Sequence, residues 1–153
     1  MLWEQFRSLA LPLIGEHFPP ELIEDNGDSI VFTSRRDYSS YVLTKAERGI
    51  IIAYEGERNT VVPFCITKSP ELATTCLTLL ARDGIATLTD MSYTPRDLLG
   101  PIPHTAFSIS KSSPPFFELT STIDPTVSAT CRSFACARAL AEASAPSLSS
   151  PRP

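Results

Sequence analysis

Four runs decide the fold: Ser29-Ile-Val-Phe-Thr33, Tyr41-Val-Leu-Thr44, Gly49-Ile-Ile-Ile-Ala-Tyr-Glu55 and Thr60-Val-Val-Pro-Phe-Cys-Ile-Thr67. Each is rich in β-branched or aromatic residues, which suit a pleated, half-buried surface. Polar, turn-forming stretches separate them: Arg35-Arg-Asp37, Lys45-Ala-Glu-Arg-Gly49 and Glu55-Gly-Glu-Arg-Asn59. The pattern predicts an antiparallel meander of three or four strands. The run from Gly49 is apolar on successive residues, as a central strand covered on both faces would be. Pro63 has no N–H to give to a ladder, so its run is assigned to an edge or a bulge. Gly49 suits a hairpin position with positive φ.

A helix follows at once. Ser69 is a natural N-cap, Pro70 fits the first helical position and Glu71 complements the positive end of the dipole. Leu72, Cys76, Leu79 and Leu80 share one face, and Asp83-Gly84 supplies the stop. At the start of the chain, Leu2, Trp3, Phe6, Leu9, Ala10, Leu13 and Ile14 recur at helical steps. They predict a core-packing helix that kinks or ends early at Pro12. The fold class is therefore α+β: an antiparallel β-meander with an N-terminal helix and one amphipathic helix after the sheet.

Beyond Gly84 the signal thins. Ile85 to Leu88 reads as a short strand, and Thr94-Pro-Arg-Asp97 as the start of one helical turn. Thr105 to Ser110 and Phe116 to Ser121 alternate as a hairpin would, over the loop Ser112-Ser-Pro-Pro115. From Val127 onward Ala, Ser and Pro dominate. Residues 1–124 are thus expected to form a single domain, and residues 125–153 a disordered tail with a transient helix at Phe134 to Ala143. The abrupt change raises a further expectation, that the native C-terminal part of the domain is missing and the tail is foreign to the fold.

Length and composition narrow the function. A chain of 153 residues suits one domain. A net charge of −4 and a pI near 5.1 disfavour a nucleic-acid backbone as partner, since phosphate binding needs a basic face. Glu4 stands where a signal peptide carries positive charge, and no apolar run approaches the ~18 residues that span a bilayer. A cytoplasmic protein with no membrane contact is expected. Cys65 falls in a predicted strand and Cys76 on an apolar helix face, so both read as small core residues. Cys131 and Cys136 have no histidine nearby to complete a zinc set, and a reducing compartment fits all four. Neither His17 nor His104 lies in a catalytic motif, and no glycine-rich phosphate loop occurs. No catalytic, metal-binding or cofactor-binding residue is assigned.

One stretch carries a resemblance. Tyr41-Val-Leu-Thr-Lys-Ala-Glu-Arg-Gly49, then a strand and the helix around Leu72 to Leu80, resembles the Immunity protein 61 family of bacterial polymorphic-toxin systems. Ala106-Phe-Ser-Ile-Ser110 and Phe117-Glu-Leu-Thr120 are similar to that family's downstream hairpin. The resemblance implies a non-enzymatic antitoxin that binds a cognate toxin domain, such as an NAD-hydrolysing one, and blocks its active site. Partner-binding candidates are Glu47, Arg48, Glu55, Glu57 and Arg58: acids to steer a basic cleft, and guanidinium forks for carboxylates. Glu21, Glu24 and Asp25 add a second acidic rim. The resemblance fails at the C-terminus, where the Ala/Ser/Pro stretch replaces ordered structure.

Two other classes remain. One is a general protein-interaction module. The other is a small-molecule-binding domain or cryptic enzyme, which needs a concave site with converging polar groups. A largest pocket that gathers His104, a carboxylate and an arginine would favour this last reading over the inhibitor.

Overall fold

The computed structural model describes residues 2–35, 39–56, 60–88, 99–113 and 116–148. The chain opens with α1 (Leu2–His17), which buries Trp3, Phe6, Ala10 and Ile14. Of the stripe the spacing predicts, Leu2 and Leu13 are half-buried and Leu9 is left out of the core, 49% exposed. Pro12 lies inside α1 without ending it. A helix-interior proline costs about 3 kcal/mol. Beyond it, Ile14 and Phe18 reach the core, and each buried side chain of that size returns about 2 kcal/mol. Trp3 Nε1 donates to the Gly27 carbonyl at 2.7 Å, which ties the start of α1 to the first hairpin.

Five strands follow in sequence: β1 (Ile23–Asp25), β2 (Ser29–Thr33), β3 (Ser40–Ala46), β4 (Gly49–Glu55) and β5 (Val61–Thr67). The short β1 lies in the stretch read as an acidic rim, and Asn26-Gly27 turns it into β2. Next come α2 (Pro70–Asp83) and α3 (Ile85–Leu88). Ser69 Oγ accepts from Leu72 N at 3.2 Å, and Gly84, at φ +80°, donates to the Leu80 carbonyl at 3.0 Å. Both ends of α2 are thus closed as the sequence predicts. Ile85 to Leu88 is helical rather than a strand. The turn expected at Thr94 to Asp97 lies outside the described residues.

The second half supplies β6 (Gly100–Pro101), β7 (Phe107–Lys111), β8 (Phe117–Ser121), β9 (Ser128–Cys131) and α4 (Phe134–Leu148). The β7–β8 hairpin is as expected. All nine strands form one antiparallel sheet, ordered β1-β2-β3-β4-β5-β9-β8-β7-β6. The fold is α+β, but the meander is longer than predicted and has more helices. It consists of two meanders joined where β9 pairs with β5 through Cys65–Cys131, Ile66–Thr130 and Thr67–Ala129. Pro63 sits beside a bulge between the Ile52 and Ala53 pairings. The strand is central, not an edge, because β9 occupies its far side.

The tail expectation is therefore corrected for residues 125–148. β9 lies near the middle of the sheet, and α4 buries Phe134, Cys136, Ala137, Leu140 and Ala141. Small residues gave this segment its low-complexity look. They also let a helix backbone come close to α2, α3 and the β7–β9 strands. Ser133 ties it in: its Oγ donates to the Leu88 carbonyl at 2.7 Å and accepts from Cys136 N at 3.0 Å. One domain thus runs to Leu148.

Helices cover one face of the sheet. Ile30, Phe32, Leu43, Ile52, Cys65, Cys131, Leu119 and Ile109 alternate onto that face and are buried. Their neighbours Val31, Val42, Ile51, Ile66, Thr130 and Thr120 turn to the other face and are half-buried.

Candidate functional site

A cavity of about 370 Å³ opens between the loop after β6 and α4. That is within the size range of small-molecule sites. Ile102 and Phe134, both nearly inaccessible, form an apolar base. His104, Thr105, Arg138 and Glu142 stand around it.

The loop is held by its own backbone. Thr105 N and Oγ1 both donate to the Ile102 carbonyl, at 3.2 and 2.9 Å, and Phe107 N donates back to Thr105 Oγ1 at 3.2 Å. Ile102 N donates to the Phe107 carbonyl at 2.9 Å. Inside this turn His104 takes φ +65°, the one positive φ on a non-glycine among the described residues. Such a conformation costs about 1–3 kcal/mol and persists only where surrounding contacts impose it. Across the cavity, Arg138 and Glu142 are one helical turn apart on α4. Arg138 Nε donates to Glu142 Oε1 at 2.8 Å, and both side chains are about half exposed (50% and 55%). The site therefore joins an apolar floor to a cation, an anion and an imidazole.

Sequence reasoning singled out His104 but missed Arg138 and Glu142. Their i,i+4 spacing is a legible ion-pair signal. It lies in a stretch whose Ala/Ser composition reads as a tail.

The residues proposed for a partner are not brought together. Glu47 and Arg48 form the exposed two-residue turn of the β3–β4 hairpin, between paired Ala46 and Gly49. Glu55 is exposed at the other end of β4, roughly 20 Å away at the rise of a strand. Glu57 and Arg58 lie outside the described residues. The acidic rim is partly neutralised. Asp25 pairs with Arg7, Glu21 pairs with Arg35, and Gly27 N donates to Asp25 Oδ1 at 3.0 Å. The Arg7 guanidinium and then the Gly27 N–H hold the Asp25 carboxyl below its ordinary range. Asp124 is lowered in the same way by the hydroxyl and N–H of Thr126, at 2.6 and 3.1 Å.

A second constellation lies in the core. Cys65 from β5, Cys131 from β9, Cys76 from α2 and Cys136 from α4 are all fully buried, with free thiols. The four thiols are near enough to perturb one another's titration, and the Cys136 thiol donates to the Phe64 carbonyl at 3.9 Å. The three neighbouring S–H groups favour the thiolate at Cys65 and pull its pKa down, against burial. Cys76 and Cys131 are pushed up by their thiol neighbours and by burial. Among the described residues, no three or more His, Cys, Asp or Glu side chains are arranged to hold a metal ion. No helix among them is long and apolar enough to cross a membrane.

Comparison with protein-family models, with curated proteins and with solved structures gave no match.

Proposed function

We propose that the chain is a binding protein whose cavity takes a small molecule with an apolar body and a polar head. The observation that carries this is the joint presence of His104, Arg138 and Glu142 over the apolar floor of Ile102 and Phe134. The head accepts from the guanidinium of Arg138 and donates to Glu142, while the body displaces water from the floor. Arg138 and Glu142 already pair with each other in a solvated setting, an arrangement suited to recognition rather than proton transfer. The reading is thus non-enzymatic. A library of amphipathic acids, amines and zwitterions screened by thermal shift tests it. Binders should stabilise the wild type, and Arg138→Ala and Phe134→Ala should each lose most of that gain. Hits that stabilise all three equally would refute it.

A second reading, the antitoxin that the resemblance implies, is supported by the sheet face opposite the described helices. Val31, Val42, Ile51 and Ile66 stand half-buried on it, and Val61 is 49% exposed. Glu47 and Arg48 at one end of β4 and Glu55 at the other would flank a docked toxin domain, and a standard interface covers about 800 Å² per partner. The test is titration of an NAD-hydrolysing toxin domain of the polymorphic-toxin class. Inhibition at equimolar ratio that Val61→Asp abolishes favours the antitoxin; undiminished hydrolysis excludes it for that toxin.

A further inference from the structure

We infer that Cys65 and Cys131 form a disulfide-forming pair that staples the two halves of the sheet. The two meanders meet at the short β5–β9 ladder, and this pair is one of its three registered positions. Arg132 N donates to the Phe64 carbonyl at 2.9 Å, flanking the Cys65–Cys131 pair. The bond therefore belongs to the neighbouring residues, and the two cysteines are a non-hydrogen-bonded pair. In such pairs the Cα atoms are about 4.5 Å apart and the side chains are closest. That separation lies inside the range a disulfide bridges, about 4.4–6.8 Å. Both side chains lie opposite each other on the helix-covered face and are buried there.

The chemistry needs a two-electron oxidant, and hydrogen peroxide is small enough to enter a partly opened core. The Cys65 sulfur attacks one peroxide oxygen. The O–O bond breaks, Cys65 becomes a sulfenic acid, and the departing hydroxide takes the thiol proton as water. The Cys131 sulfur then attacks the Cys65 sulfur. An S–S bond forms, the S–O bond breaks, and a second water leaves with the Cys131 proton. Two thiols lose two electrons in total, and one peroxide becomes two waters. Cys65 is the attacking sulfur, since its neighbouring thiols pull its pKa down while that of Cys131 is pushed up. Access comes from local opening of α4. Cys136 donates to the Phe64 carbonyl beside the pair, and α4 buries Phe134 and Leu140 together with the small Ala137 and Ala141.

The experiment is a peptide map. The full chain is treated with hydrogen peroxide under native conditions, and remaining thiols are alkylated in denaturant. The expected product is one cross-linked peptide pair holding Cys65 and Cys131, with Cys76 and Cys136 alkylated. Dithiothreitol should return four alkylatable thiols. Cys131→Ser should leave Cys65 trapped by dimedone as a sulfenic acid. The wild-type map decides the matter even if that variant fails to fold. Four alkylatable thiols after peroxide, a bridge to Cys76 or Cys136, or sulfinic acid at Cys65 would each overturn the inference. So would one equivalent of a thiophilic metal in the purified protein.

Discussion

Replacing Gly49 with alanine tests the geometry of the sheet more sharply than any other single change. Gly49 closes the β3–β4 hairpin at φ +123°, and a Cβ there would meet the Thr67 carbonyl oxygen at 2.4 Å and its carbon at 2.8 Å. Two costs add. Holding an L-residue in that backbone region costs about 1–3 kcal/mol. Moving the Thr67 backbone overpacks a central position and costs another 1–3 kcal/mol. Thr67 cannot yield cheaply, because it pairs with Ile50 on one side and Ala129 on the other. Gly49→Ala should therefore lose about 3–5 kcal/mol, a large share of a typical 5–15 kcal/mol, and melt roughly 10 °C lower. Gly84→Ala is the reference. Gly84 has φ +80° with open space where a Cβ would stand, so torsional cost acts alone at about 1–3 kcal/mol. Urea unfolding followed by circular dichroism measures both. Equal losses at the two positions would show that the Thr67 contact carries no energy.

Other perturbations probe the remaining joints. Ser133→Ala removes the N-cap of α4 and leaves the Leu88 carbonyl without its buried donor, so urea unfolding should show a loss of about 2 kcal/mol. Thr67→Val removes the hydroxyl that donates to the Ser128 carbonyl at 2.6 Å and accepts from Ser69 N at 3.0 Å. It should cost about 1–3 kcal/mol by the same assay, with little change in m-value. For pH, Asp25 has a folded pKa depressed below 3.8. Its stabilising share is complete above that value and disappears as pH falls through the folded pKa. Melting temperatures taken from about pH 5 to pH 2 should fall more steeply for the wild type than for Asp25→Asn.

What was legible in the sequence were the elements that carry their own boundary chemistry. α2 has Ser69 and Pro70 at one end and Gly84 at the other, and its Leu/Cys face is wide. β2 to β5 alternate or run apolar between turn residues, so their existence and order were readable. β9 and α4 were not. Ala129, Ala137 and Ala141 bury little area each, so their hydropathy signal is faint although each is nearly inaccessible. Close packing of small residues and low complexity look alike in one dimension. The cavity was half legible, since His104 could be named, but Arg138 and Glu142 reach it only because α4 folds back over β7, β8 and β9. The cysteine cluster was invisible for a related reason. Four different elements supply its members, and no spacing in the chain marks them as neighbours.

The non-sequential junction between β5 and β9 also sets an order of events in time. Within β1 to β5, and again within β6 to β9, each strand pairs with its neighbour in the chain, so those contacts close short loops at small entropic cost. The Cys65–Cys131 register joins positions on opposite sides of α2, α3 and three strands. Closing so long a loop is slow. Each half-sheet therefore gathers itself first and waits, with an unpaired edge exposed at β5, for β9 to arrive. Until then that edge is open to the same edge on another chain. Refolding yield should accordingly fall with concentration, and synthesis on the ribosome leaves the far edge of β5 unpaired until the last quarter of the chain emerges.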